Sequence, residues 1–156
     1  MLINIDPIIG PEVLHTLRAM GHGDKLILCD SNFPAYSMNS LVHRLDGVDA
    51  ARAAKAILSI FPLDSFVEFP ILRMQIDNKP DEVNDVHREI MEVTRSVAGE
   101  NWKIGSIERF KFYEEAKKAF AIIDEKGFYL TEVYFLGLVA SPGTFICQDR
   151  LRISGN

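Results

Sequence analysis

The run LILCD, Leu26 to Asp30, constrains the fold of this chain more than any other stretch. An unbroken apolar run of this length, bounded by polar residues, reads as a buried strand rather than a half-exposed one. It is preceded by helical spacing: Val13, Leu14, Leu17 and Met20 recur on one face of residues 11–20, with Pro11 suited to the first turn and Gly21 to the stop. Helix, tight turn, buried strand is the start of an α/β chain, and it delivers Asp30 to the C-terminal end of the strand.

The rest of the chain continues the alternation. SNFPAYSMN reads as loop, and LVHRL as a second short strand closed by the turn dipeptide Asp46-Gly47. Residues 49–61 are an alanine-rich helix capped by Asp49 and ended by Pro62. Phe66 to Gln75 has β composition around Pro70, with a strand expected after the proline. A helix follows, with Val83, Val86, Ile90 and Val93 on one face and Gly99 at its end. Ile104 to Ile107 reads as a strand, ERFKFYEEAKKAF as an aromatic turn passing into a helix, AFAIID as a strand, and GFYLTEVYFLGLV as strongly β. Short strands alternating with helices predict an α/β fold, one layered domain over residues 1–156, with 139–156 as a glycine- and proline-punctuated tail.

Composition narrows the function. With 17 basic against 22 acidic residues the net charge is −5, which argues against the basic face that nucleic acid requires. The apolar stretches fall short of the roughly 18 residues of a membrane span. Two cysteines make no disulfide framework, and the opening MLINIDPIIGPEV lacks a basic leader region. A reducing, cytoplasmic setting without a membrane or nucleic-acid partner is expected.

Two stretches carry candidate chemistry. In Gly21-His22-Gly23-Asp24 the glycines free the backbone around His22 and keep side-chain bulk away from it. Asp30, at a strand end, stands where α/β sheets place ligand-contacting groups. A histidine with an ordinary pKa near 6.5 and a carboxylate at the rim of the same cleft would make an acid–base pair. The plainer alternative is a surface-turn histidine and a helix-capping aspartate. In Glu108-Arg109-Phe110-Lys111-Phe112-Tyr113, an arginine among aromatics suits sugar hydroxyls and the apolar sugar face. Its alternative is Phe110 and Phe112 in the core with Arg109 solvated. His43, Arg44 and Asp46 are weaker candidates. His15 and His87 lack partners at metal-ligand spacing, so no metal site is expected. Cys29 reads as an inert core residue.

Five motifs occur in order: MGHGD, D-x-x-FPA-x-S, R-x-DG, PLDSF-x-E and RF-x-FYE-x-AKKAFA. The ordered set, over roughly residues 7–123, resembles the fucose branch of the L-fucose mutarotase / D-ribose pyranase family. The resemblance implies a D-ribose pyranase-like fold and an isomerase that exchanges the α and β anomers of a free monosaccharide, most directly L-fucose. A non-catalytic sugar-binding or transport-associated protein on the same fold is the alternative. The resemblance makes His22 the proton donor and Asp30 and Arg109 sugar-binding groups, with no cofactor.

The family's Tyr-Gly-Asn element is missing from the last strand. Aligned without gaps, Thr131-Glu132-Val133 take its place; a two-residue deletion brings Tyr129-Leu130-Thr131 there instead. Tyr129 is the preferred reading, because a phenol can both stack on a sugar and share a proton. The family also implies a ring-like homo-oligomer, commonly a decamer, with the sugar near a subunit boundary. The apolar GFYLTEVYFLGLV segment independently suggests a surface covered by a partner.

Overall fold

The computed structural model describes residues 2–126 and 136–139. The elements run α1 (Pro11–Ala19), β1 (Lys25–Cys29), α2 (Ala35–Met38), β2 (Val42–Asp46), α3 (Ala50–Leu58), β3 (Ile71–Met74), α4 (Asp85–Ala98), β4 (Ile104–Ile107), α5 (Arg109–Lys118), β5 (Ala121–Lys126) and β6 (Leu136–Val139). The strands form one sheet in the order β2-β5-β1-β6-β3-β4. β2 and β5, β5 and β1, and β3 and β4 pair parallel. Only β6 among the described strands runs the other way, antiparallel to both β1 and β3.

Consecutive residues of β1, Leu26 to Cys29, and of β5, Ala121 to Ile123, are all buried. Successive side chains point to opposite faces, so both faces of the sheet centre are covered. α3 packs on α4 and against β1, and α2 packs on α5. The edge strands β2 and β4 are less buried, as edges must be.

Local chemistry sets most boundaries. Asp49 caps α3 by accepting from the Arg52 N–H at 2.7 Å, and Asn84 caps α4 by accepting from the His87 N–H at 2.9 Å. Gly99 ends α4 at φ 109, a conformation that side chains disfavour. Three expectations change. The SNFPAYSMN stretch contains the short helix α2 rather than loop alone. α5 starts at Arg109, without a preceding aromatic turn, because Glu108 caps it through the N–H groups of Phe110 and Lys111. The buried face of α4 is His87, Ile90 and Thr94, with Val86 and Val93 at its margin and Val83 ahead of the helix.

The last strand carries a further correction. β6 is paired on both sides in the middle of the sheet. Apolar composition is what a central strand requires, so at residues 136–139 it is no sign of a partner surface.

Candidate active site

His22 sits on the turn between α1 and β1. The Asp24 N–H donates to the Gly21 carbonyl at 3.2 Å, and Asp24 Oδ2 accepts from the Gly21 N–H at 2.7 Å. Gly23 completes the turn at φ 85, with open space where a Cβ would stand. The turn raises the His22 side chain out of the surface, 53% exposed, while its Nδ1 lies 3.5 Å from Asp64 Oδ2. The Phe66 ring meets the imidazole edge to face, centroids 5.6 Å apart. Asp64 is 1% exposed, and its Oδ1 accepts from the Phe66 N–H at 2.8 Å. One carboxylate therefore closes its own loop and faces the histidine ring.

Asp30 follows β1 and is buried. Its Oδ1 accepts from the N–H groups of Asn32 at 2.8 Å and Phe33 at 3.1 Å. Asp30 thus caps a turn and not a helix, since the N-cap of α2 is Pro34. That turn sets Phe33 edge to face against Phe112 and Tyr113, at 5.7 and 5.3 Å, which ties the strand end to α5.

Arg109 is the first residue of α5. The capping hydrogen bond from the Phe110 N–H, helped by that from Lys111 and by the nearby Lys111 and Arg109 charges, holds the Glu108 carboxyl below its usual range despite some desolvation. Glu108, Arg109 and Phe110 line a cavity of about 280 Å³ with Asp77 and Asn78. The two aromatics of the motif divide: Phe112 is 1% exposed and Phe110 is 70% exposed.

These groups do not share one cleft within a single chain. β1, β3 and β4 run the same way, so Asp30 after β1 and Arg109 after β4 lie at one end of the sheet. His22 precedes β1 and Asp64 precedes β3, at the other end. At about 3.3 Å per residue, β1 alone holds the two ends roughly 13 Å apart. The expectation that Asp30 rims the same cleft as His22 is corrected by that strand. Asp30 and Arg109 are separated sideways by β6 and β3, about 14 Å at ordinary strand spacing. Tyr129 and the alternative Thr131 lie outside the described residues.

The weaker candidates have local explanations. Arg44 and Asp46 pair with each other at 2.6 Å on the exposed edge strand. His43 Nε2 and Thr16 Oγ1 are 2.7 Å apart, and burial is the main cause that lowers the His43 pKa. His87 is in the core, and Cys29 is buried within β1. Among the described residues no group of three or more His, Cys, Asp or Glu side chains could hold a metal ion, and no helix is long and apolar enough to cross a membrane. Asp64 was not singled out from sequence, although it stands in PLDSF-x-E. An aspartate just past a helix-ending proline is a signal for a turn, but nothing local ties it to His22.

Known proteins share this arrangement of elements. A protein of Actinobacillus pleuropneumoniae named L-fucose mutarotase is 40% identical over 125 residues, 79% of this chain and 85% of that protein. The crystal structure of the fucose mutarotase from Streptococcus pneumoniae, in complex with L-fucose, matches with a TM-score of 0.80 at 30% identity, covering 92% of this chain and 100% of that one. FucU from Bifidobacterium longum matches with a TM-score of 0.79 at 34% identity, over 90% and 99%. The α/β fold expected from the motifs is the fold of these structures. The sequence model of the RbsD / FucU transport protein family matches residues 3–126, and the chain belongs to that family.

Proposed function

We propose that this protein is a mutarotase that exchanges the α and β anomers of a free monosaccharide, L-fucose, by acid–base ring opening and reclosure. The observation that carries this reading is the half-exposed His22 imidazole backed by the buried Asp64 carboxylate, in a chain whose relatives bear the name L-fucose mutarotase. His22 Nε2 gives a proton to the ring oxygen as the bond from that oxygen to the anomeric carbon breaks. The anomeric hydroxyl becomes the aldehyde oxygen and returns its proton to the imidazole. Rotation about one carbon–carbon bond and reclosure by the reverse steps give the other anomer. No electrons are exchanged, and acid–base help of this kind contributes roughly 10²–10⁴-fold. Asp30 and Arg109 are the sugar-holding groups of this reading, with Tyr129 a third.

A pyranose spans neither the length of β1 nor the roughly 14 Å of strand spacing between Asp30 and Arg109. The site is therefore completed between copies, with the His22 end of one chain against the other end of the next, where Asp30 or Arg109 meets it. Exposed aromatics at both ends support such a contact: Phe66 against His22, and Phe110 beside Arg109. Two different surfaces meeting head to tail close into a ring when the rotation permits, in keeping with the ring-like homo-oligomer that the resemblance implies. A cytoplasmic setting accords with the buried Cys29 thiol.

The test is NMR saturation transfer between α- and β-L-fucose with catalytic amounts of protein. Exchange faster than in buffer is expected. A buffer rate, with L-fucose binding retained by calorimetry, would make the protein a sugar binder rather than an enzyme.

A further inference from the structure

We infer that Asp64 is the positioning residue of His22: it holds the imidazole with Nδ1–H turned inward, so that Nε2 is the nitrogen presented to the sugar. The inference rests on the mutarotase reading for its catalytic consequence, but its structural core does not.

Asp64 needs one oxygen to close its own turn, and Oδ1 does so through the Phe66 N–H. The second oxygen faces His22 Nδ1 at 3.5 Å, in a ring whose side chain is 53% exposed. A buried carboxylate must be satisfied by donors, because desolvation of its charge is costly. The distance is longer than an ordinary hydrogen bond, and catalytic contacts of this type tighten when substrate is bound.

The chemistry follows from what a carboxylate can do. It only accepts, so Nδ1 keeps its hydrogen whether the ring is neutral or protonated. The proton that moves is then always the one on Nε2. Asp64 also stabilises the imidazolium that must exist before the ring oxygen is protonated, as the third group of a catalytic triad does. Phe66 completes the support: its backbone N–H fixes the carboxylate, and its ring edge meets the imidazole. The turn after α3 thus orients a histidine that precedes β1.

Protein labelled with ¹⁵N-histidine carries only four histidines, and His22→Gln assigns the His22 signals. The ¹⁵N shifts of neutral His22, read without sugar, should show the Nδ1–H tautomer. In Asp64→Asn the amide can donate to Nδ1, so the tautomer should reverse to Nε2–H, and kcat should fall about 10²-fold with KM within about twofold. Asp64→Glu, which keeps a carboxylate, should retain the parent tautomer and more of the rate. A parent His22 in the Nε2–H form overturns the inference. So does an Asp64→Asn protein with parent tautomer, or one with a reversed tautomer and parent kcat. If Asp64→Asn does not fold, the tautomers of the parent and of Asp64→Glu decide. If the parent exchanges no anomers, the proposed function falls, and the tautomer measurement still decides the role of Asp64.

Discussion

His22 and Asp30, eight residues apart in sequence, stand at opposite ends of the same strand, β1. One faces Asp64 at the start of the sheet, and the other caps the turn at its end. For both to serve one sugar, two copies of the chain must meet.

That arrangement predicts complementation. His22→Ala should lose most of the exchange rate and keep sugar binding, the signature of a group acting in the transition state. Arg109→Ala should weaken binding by about 1.5–3 kcal/mol, the contribution of a charged hydrogen bond. Coexpressed in equal amounts, the two variants should regain activity toward about a quarter of the parent value, since half the His22 ends and half the Arg109 ends are intact and they meet at random. Saturation transfer measures the rate and calorimetry the binding. Activity no higher than the mean of the separate variants, or a monomer by light scattering, contradicts the shared site.

The aromatic motif should split in its effect on stability. Phe112→Ala removes a ring that is buried against Phe33, and should cost about 3–5 kcal/mol. Phe110→Ala removes a ring that is exposed within one chain, so its loss should be smaller and should depend on protein concentration, as a ring covered by a second copy requires. Urea unfolding of the two variants at two protein concentrations checks the contrast. A Phe110→Ala loss independent of concentration would remove Phe110 from the contact between copies.

Stability should also fall in mild acid through His43. Desolvation by burial lowers its pKa below the ordinary 6.5, with His15 adding to the effect and Glu12 opposing it. The unfolded chain therefore binds this proton first as pH falls. The contribution is whole above about pH 6.5 and is lost as pH drops through the lower folded value. Comparing urea midpoints at about pH 7.5 and 5.5 measures the drop. His43→Gln can keep a hydrogen bond to Thr16 without titrating, and should show a smaller drop than the parent. An equal drop would assign the effect to other groups.

Asn84 offers a local test. Its side chain satisfies the His87 N–H at the start of α4, so Asn84→Ala should cost about 1 kcal/mol in thermal or urea unfolding. Asn84→Ser, another good cap, should recover most of it. No loss in the alanine variant would show that the cap contributes little.

What the residues alone determined was local. Pro11 begins α1, Asp49 caps α3, Gly99 ends α4 and LILC makes β1, because each depends on backbone groups within a few positions. The start of α5 is less legible: its first turn depends on Glu108 as a cap, and the aromatic residues that follow resemble a turn in composition. The motifs also marked His22, Asp30 and Arg109 as candidates, through residue type and order. Their grouping was another matter. Which end of the sheet each occupies follows from strand direction, and the insertion of β6 between β1 and β3 follows from pairing across distant segments. The approach of Asp64 to His22 joins the turn after α3 to the turn before β1. No periodicity or cap encodes such a contact, because it exists only once helices and strands have packed. Tertiary structure therefore decided the partner of the histidine, and placed the groups marked for one sugar at two ends of one strand.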